Sequence, residues 1–350
     1  MRLFRSLALG LALTSAALCA AFAPGNIVVV RYGDGSAALT NAGTSIFLDE
    51  YTPSGALVQT IPLPTSTSGA NKRIVGSGTA ATEGLMTLSA DGRCLVIPGY
   101  DAAPGTASIT GSTSAAVNRV IAKIDSTGLI DSTTALSDAI TGSNPRSAAS
   151  TNCSDLWIVG GAAGVRYASL GSATSTSVST TVTNVRGINI FGSQLYISTA
   201  SGTNPRVYAV GSGTPTTTGQ TMTPLTGFSV GAAADGFFFA DLNPSVPGVD
   251  TLYVADDGGS ILKYSLVAGT WTSNGAITAS NVHGLTGTVS GGSVTLYLTY
   301  ATNLSKIAKV TDTGGYNAAP SATTVTDLVT AATNTQFRGV AFQKAGVGGA

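Results

Sequence analysis

Residues 186–210 read RGINIFGSQLYISTASGTNPRVYAV, and this stretch contains the pattern that decides the fold. A charged residue and a glycine open it, a short apolar run follows, and a turn at Gly192-Ser193 leads to a second run and then a third. Runs of β-branched and aromatic residues separated by Gly, Asn and Ser predict short strands joined by tight turns. Apolar residues at helical spacing are almost absent, so we expect almost no helix.

The same unit recurs along the chain. Its opening charged or polar residues are Glu83, Arg146, Arg186, Asp235, His283 and Arg338. These starts lie roughly 40 to 60 residues apart, which is typical of four-stranded propeller blades. We predict an all-β, six-bladed β-propeller with four-stranded antiparallel blades, forming a single domain over residues 22–350. Seven blades remain the alternative, because residues 102–138 could hold a further pair of strands.

The two ends of the chain predict how the ring closes. Residues 26–30, 45–49 and 57–61 supply three strands with no first strand before them, whereas residues 337–342 supply a first strand with little chain after it. We therefore expect one blade to be shared between the N- and C-terminal strands. Such pairing removes two exposed sheet edges and locks the ring.

Residues 250–261, DTLYVADDGGSI, resemble the strand pair of NHL-like and lactonase-like six-bladed propellers. The chain from residue 22 onward also resembles exported bacterial propeller proteins that close on a strand like FRGVAF at residues 337–342. Some members of that group carry a C-terminal Pro-Glu-Pro sorting tail, which is not visible in residues 343–350. The resemblance therefore implies the architecture and export, but neither surface anchoring nor an activity.

Composition excludes several classes of protein. Only 10% of residues are charged, with 17 basic and 17 acidic side chains, while 43% are hydrophobic and the mean hydropathy is +0.30. A disordered chain would be less hydrophobic and more charged. A nucleic-acid binder would carry excess positive charge to contact phosphates, so no nucleic-acid partner is expected.

The N-terminus has the features of a secretory signal peptide. Residues 1–6 are basic, an uncharged apolar run follows, and small residues precede a predicted cleavage after Ala21. Lipidation at Cys19 is a weaker alternative, because Leu18 rather than a small residue precedes it. Since the apolar run is shorter than the ~20 residues that span a membrane, we expect a secreted, extracellular or periplasmic monomer with no transmembrane segment.

Two cysteines, Cys94 and Cys153, follow the predicted cleavage site. Both lie beside equivalent turns, so they could form a disulfide that links adjacent blades. The alternative is two separate small apolar residues, because the sequence does not show whether their Cα atoms come within about 7 Å.

The six opening residues predict a ring of charges at one mouth of the channel. If each opens an innermost strand, Glu83 lies between Arg338 and Arg146, and Asp235 lies between Arg186 and His283. Glycine follows five of the six, which allows backbones to approach closely at the axis.

Three interpretations of this ring stay open. Mutual ion pairs could fill a wet channel. The three arginines could instead bind a carboxylate, a phosphate or a sulfated sugar. In the third, Glu83 and Asp235 hold Ca²⁺ together with Asn184 or Asn281, but the nearby arginines would repel that ion.

Candidates for catalysis are few. His283 is the only histidine, so a Ser-His-Asp arrangement would have one possible base and a multi-histidine metal site is impossible. Asp256-Asp257 before Gly258-Gly259 could bind a cation, but such a sequence is more typical of a tight turn. We predict no catalytic residue, no metal and no cofactor.

These observations favour a secreted, non-enzymatic binding or cell-envelope propeller. Its partner would be a protein, a glycan or a small anionic ligand at the channel mouth. The alternative is a propeller hydrolase, similar to lactonases, with its site at the same channel.

Overall fold

The computed structural model describes residues 20–200, 206–228, 233–300 and 305–342. The predicted signal peptide, residues 1–21, lies almost wholly outside the described residues. The described residues form strands, with one short 3-10 turn at Ile109–Gly111. In chain order the strands are β1 Ile27–Tyr32, β2 Gly43–Tyr51, β3 Leu57–Pro62, β4 Val75–Ser77, β5 Thr87–Leu88, β6 Cys94–Tyr100, β7 Arg119–Asp125, β8 Ile130–Leu136, β9 Pro145–Ser150, β10 Asp155–Gly160, β11 Val165–Ser169, β12 Thr176–Ser179, β13 Val185–Phe191, β14 Gln194–Thr199, β15 Arg206–Val210, β16 Met222–Pro224, β17 Ala234–Ala240, β18 Thr251–Asp256, β19 Ser260–Val267, β20 Thr270–Thr278, β21 Val282–Ser290, β22 Ser293–Tyr300, β23 Lys306–Asp312, β24 Thr326–Thr330 and β25 Gln336–Phe342.

The strands form antiparallel four-stranded groups. Strands β9–β12, β13–β16, β17–β20 and β21–β24 each form a separate sheet. The nine-stranded sheet contains two further groups, β25-β1-β2-β3 and β5-β6-β7-β8. The short strand β4 joins these two groups, because it pairs with β2 on one side and with β6 on the other.

The innermost strands close into a ring. Strands β5, β9, β13, β17, β21 and β25 each contact the next, and β25 contacts β5 again. The predicted all-β propeller with four-stranded antiparallel blades is confirmed, and the closed cycle fits six blades. Residues 102–138 form the short 3-10 turn and the outer strands β7 and β8 rather than an additional blade.

The terminal strands share one blade, as predicted. Strand β25 pairs antiparallel with β1, with Val28 opposite Ala341 and Val29 opposite Val340. Phe22 is buried, and its backbone N–H donates to the Ser126 carbonyl in the neighbouring blade. The segment that begins at Phe22 and the last strand are therefore both held within the ring.

The core is divided among the faces between adjacent sheets. One cluster packs Trp157 of β10 against Ile188 of β13 and Ile197 of β14. A disulfide crosses another such face, joining Cys94 of β6 to Cys153 in the β9–β10 group, with Cα atoms 6.0 Å apart. Within the described part of the chain, no helix has the length and apolarity needed to cross a membrane.

Candidate functional site

The six residues predicted to form the charged ring lie at the same end of the innermost strands. Five of them are within the first three residues of β9, β13, β17, β21 or β25, and Glu83 comes four residues before the short β5. Most are buried, while Arg146 and Arg186 remain partly exposed. The repeat in the sequence therefore corresponds to one level of the channel.

Close backbone contacts lie directly beside this level. A Cβ atom added at Gly236 would lie 2.5 Å from the His283 carbonyl oxygen, and one at Gly339 would lie 2.3 Å from the Gly84 oxygen. At the sixth position, Ser147 donates its hydroxyl to the Leu85 carbonyl at 3.0 Å. Gly236 and Gly339 are needed because neighbouring blades meet at these two positions through their backbones.

Asp235 lies between Arg186 and His283. Its Oδ1 is 3.7 Å from Arg186 Nε, and its Oδ2 is 3.9 Å from His283 Nε2. The Asp235 side chain is fully buried, and burial raises its pKa to about 7, against the opposing charges of His283 and Arg186. This half of the ring has the order that the sequence predicted.

Asp257 is a member of this cluster that the sequence analysis assigned to a turn. It follows β18, and its Oδ1 lies 3.1 Å from His283 Nε2. Because Ala234 pairs with Asp256, the end of β18 lies beside the start of β17 and brings Asp257 to Asp235. The sequence did contain one signal for Asp257, an acidic residue directly after the second strand of its blade. Because the first two strands of a blade are antiparallel, that position lies at the level where the first strand begins.

The pKa values of His283 and Asp257 are set by burial and by the contacts among His283, Asp257 and Asp235. Burial alone would lower the pKa of His283, but its hydrogen bond to Asp257 and the charges of Asp235 and Asp257 raise it overall. Burial alone would raise the pKa of Asp257, but its hydrogen bond with His283, followed by its interaction with the nearby Asp235 carboxyl, lowers it overall. Asp257 is therefore the more acidic carboxyl of the pair.

Glu83 has neutral hydrogen-bond partners. It accepts hydrogen bonds from the Ser77 backbone N–H and the Tyr100 hydroxyl, both at 2.8 Å. Burial raises the pKa of Glu83 to about 7. In the described ranges, no cation lies within 4.0 Å of its carboxylate, although Arg338 and Arg119 exert weaker electrostatic effects.

The two remaining arginines of the ring, Arg338 and Arg146, donate hydrogen bonds to backbone and amide oxygens. Arg338 donates to the Gly78 carbonyl at 3.0 Å. Arg146 donates to Asn184 Oδ1 at 2.6 Å and to the Val185 carbonyl at 3.1 Å. Burial, followed by the charge of Arg186, lowers the pKa of Arg146 to about 10. Asn184 thus faces an arginine, and the Asn281 side chain is exposed.

Beyond the glycines, the channel widens into a cavity of about 740 Å³. The later residues of the innermost strands line it, and most of their side chains are apolar. Its large apolar side chains include Leu85, Met86, Leu88, Ile188, Ile190, Phe191, Phe237, Phe238, Leu285, Val289, Val340 and Phe342. Of the six predicted ring residues, all of which lie in the described part of the chain, His283 alone lines the cavity. No pattern in the sequence predicted this apolar cavity.

No protein-family model matches the chain, and no curated protein matches it in sequence. Among solved structures, it is similar to a Bacteroides fragilis protein with the provisional name 6-phosphogluconolactonase, at 12% identity and a TM-score of 0.48 over 87% of this chain and 82% of the other. A Bacteroides uniformis protein with the same provisional name has 13% identity and a TM-score of 0.44, again over 87% and 82%.

The β-propeller domain of Cps50 (Swd1) from Myceliophthora thermophila has 12% identity and a TM-score of 0.40, over 65% of each chain. At such identities the similarity is one of fold alone. None of these three proteins indicates a ligand or an activity for this chain.

Proposed function

We propose that this protein is a secreted, non-enzymatic binding propeller whose ligand occupies the channel cavity. The observation that carries the proposal is the apolar cavity of about 740 Å³ formed by the innermost strands. Cavities of roughly 300 to 1,000 Å³ with mainly apolar walls and a few polar groups are typical of small-molecule sites. Beside the cavity, backbones of neighbouring blades approach closely at Gly236 and Gly339.

The cavity favours a small apolar or amphipathic ligand. Phe191, Phe238 and Phe342 offer aromatic surface, and Leu285 adds an aliphatic wall. Polar groups are few: they include the imidazole of His283 at the inner end and the hydroxyls of threonines in β21. A ligand with an apolar body would gain roughly 25 cal/mol per Å² of apolar surface buried.

The non-enzymatic role is supported by the contacts of the single imidazole. One nitrogen of His283 faces Asp257 and the other faces the Ala81 carbonyl. Among the described residues, neither nitrogen is hydrogen-bonded to a Ser, Thr or Cys side chain. A hydrolase would need such a nucleophile, or an activated water, beside a base.

An anionic ligand at the ring is a second candidate. Within the described residues, the Nε atoms of Arg146, Arg186 and Arg338 are buried and have no hydrogen-bond partner. A carboxylate or phosphate could accept hydrogen bonds from such donors. Titration with inorganic phosphate, comparing the wild type with Arg186→Gln, would test this candidate, which predicts weaker phosphate binding by the variant.

Dye binding tests the cavity. N-phenyl-1-naphthylamine, an uncharged fluorescent molecule, should bind saturably with one dye per chain. Thr286→Trp, on the cavity wall, should weaken binding at least about tenfold by occupying the space, which corresponds to about 1.4 kcal/mol. Thr272→Trp, at an exposed position on β20, is the matched control and should bind normally. Absence of saturable binding, or equal binding by both variants, would contradict the proposal.

Export is the other part of the proposal. It is supported by the basic start and apolar run of residues 1–21 and by the disulfide, since disulfides persist in oxidising compartments. Expression of the full chain in a bacterial host, followed by fractionation and N-terminal sequencing, should give a mature protein beginning at Phe22 outside the cytoplasm. An uncleaved cytoplasmic chain would argue against export.

A further inference from the structure

We propose that Asp235, Asp257 and His283 form a site for one divalent transition-metal ion such as Zn²⁺. Two carboxylate oxygens and one imidazole nitrogen would bind it. One such atom from each residue lies within 4.8 Å of the other two. Zn²⁺ takes this mixture of oxygen and nitrogen ligands, with water or another group in the remaining position. The site does not depend on the cavity ligand proposed above.

Asp235 provides the first independent reason. Its side chain is fully buried, and neither carboxylate oxygen accepts a hydrogen bond from a described residue. Distances of 3.7 Å to Arg186 Nε and 3.9 Å to His283 Nε2 are too long for hydrogen bonds. Because an unsatisfied buried carboxylate is costly, a positive species between Asp235 and Asp257 would stabilise the cluster. A bound metal ion or a shared proton can fill that place.

His283 provides the second reason. Its Nδ1 lies 3.1 Å from the Ala81 carbonyl oxygen, which can only accept, so Nδ1 carries hydrogen. Its Nε2 faces the carboxylates, 3.1 Å from Asp257 Oδ1. A backbone carbonyl on the far nitrogen is a usual partner of metal-binding imidazoles, since it fixes the tautomer that offers the other lone pair.

The spacing from His283 to each carboxylate suits a small ion. Tetrahedral Zn²⁺ with bonds of about 2.1 Å places its ligand atoms roughly 3.4 Å apart. The two separations from His283 Nε2, 3.1 and 3.9 Å, lie on either side of this value. The Asp257 side chain is 29% exposed and gives an entry path. Ca²⁺ fits less well, because it takes six to eight oxygen ligands.

The single histidine gives a direct readout of metal binding. In untagged, chelator-treated protein with labelled histidine, one imidazole should give one set of NMR signals. One equivalent of Zn²⁺ should shift the Nε2 signal, while Nδ1 remains protonated. Zn²⁺ that fails to bind, or that binds and leaves the imidazole signals unchanged, would overturn the proposal.

Variants identify the carboxylate ligands. Asp257→Asn changes a partly exposed turn residue and should weaken Zn²⁺ binding at least about tenfold. Asp241→Asn, at an exposed aspartate just after β17, is the matched control and should bind Zn²⁺ as the wild type does. Equal affinity in the two variants, or a wild-type site that binds Ca²⁺ in preference to Zn²⁺, would overturn the assignment.

Discussion

At the scale of single residues, Glu83 shows how burial changes proton affinity. The chain surrounds its carboxyl with Tyr100, Ser77 and apolar groups, and burial raises its pKa from 4.5 to about 7. The pKa of Glu83 is higher in the folded protein than in the unfolded chain. Between pH 4.5 and about 7, the folded protein therefore holds a proton on Glu83 that the unfolded chain releases. The protonated Glu83 carboxyl therefore contributes its full stabilisation of the folded state below pH 4.5. This contribution is lost as the pH rises through 7.

Replacing Glu83 by Gln should therefore flatten the dependence of stability on pH. A shift from 4.5 to 7 corresponds to about 3 kcal/mol in the free energy of unfolding. Urea denaturation at several pH values between 4.5 and 8 should show a decrease for the wild type that is smaller for Glu83→Gln by up to about this amount. Parallel pH profiles would contradict a buried, proton-binding Glu83.

Gly339 tests the close packing of the blades. A Cβ there would lie 2.3 Å from the Gly84 oxygen and 2.4 Å from the Met86 nitrogen, both backbone atoms that cannot move independently. Gly339→Ala should destabilise the fold by about 1 to 3 kcal/mol. Gly111→Ala, where an added Cβ meets nothing within 4 Å, is the control. Equal denaturation midpoints for the two variants would show that the blades do not meet at Gly339.

Sequence reasoning identified part of the charged cluster. The repeat placed Asp235 between Arg186 and His283, because equivalent positions of successive blades become neighbours. It missed Asp257, because a turn residue reaches the channel only through the register of β17 and β18. It also missed Tyr100 as the partner of Glu83, since that contact depends on side-chain direction across two strands.

At the scale of elements, the disulfide between Cys94 and Cys153 links two blades. It closes a loop with a sequence separation of 59 residues. Loop-closure entropy for this length predicts about 4 kcal/mol of stabilisation.

The paired variant Cys94→Ala with Cys153→Ala should therefore unfold at lower urea concentration, with a loss of about 2 to 4 kcal/mol. The wild type under reducing conditions should behave similarly. If reduction leaves the denaturation midpoint unchanged, the two sulfur atoms are not bonded in solution.

Strand pattern predicted most elements but not their exact extent. The strand after Glu83 was expected to be a full first strand, but β5 comprises only Thr87–Leu88. The strand β4, Val75–Ser77, was not predicted, because three residues carry too little pattern to identify a strand. This short strand nevertheless joins two blades and donates the Ser77 N–H to Glu83.

At the scale of the whole molecule, closure was predictable and the cavity was not. Three strands at one end and one at the other imply a shared blade, which the pairing of β1 with β25 confirms. The size of the cavity depends on the distance between the six innermost strands beyond the glycines. That distance cannot be predicted from a local sequence pattern. Its aromatic lining could be recognised only after Phe191, Phe238 and Phe342 were placed around one axis.

The central claim is that this apolar channel cavity is the ligand site. A crystal structure of the protein with a brominated N-phenyl-1-naphthylamine tests it most directly, because the bromine gives an anomalous signal. We predict that signal inside the cavity, between Phe191, Phe238 and Leu285. Dye bound at full occupancy on another surface, with none in the cavity, would contradict the account.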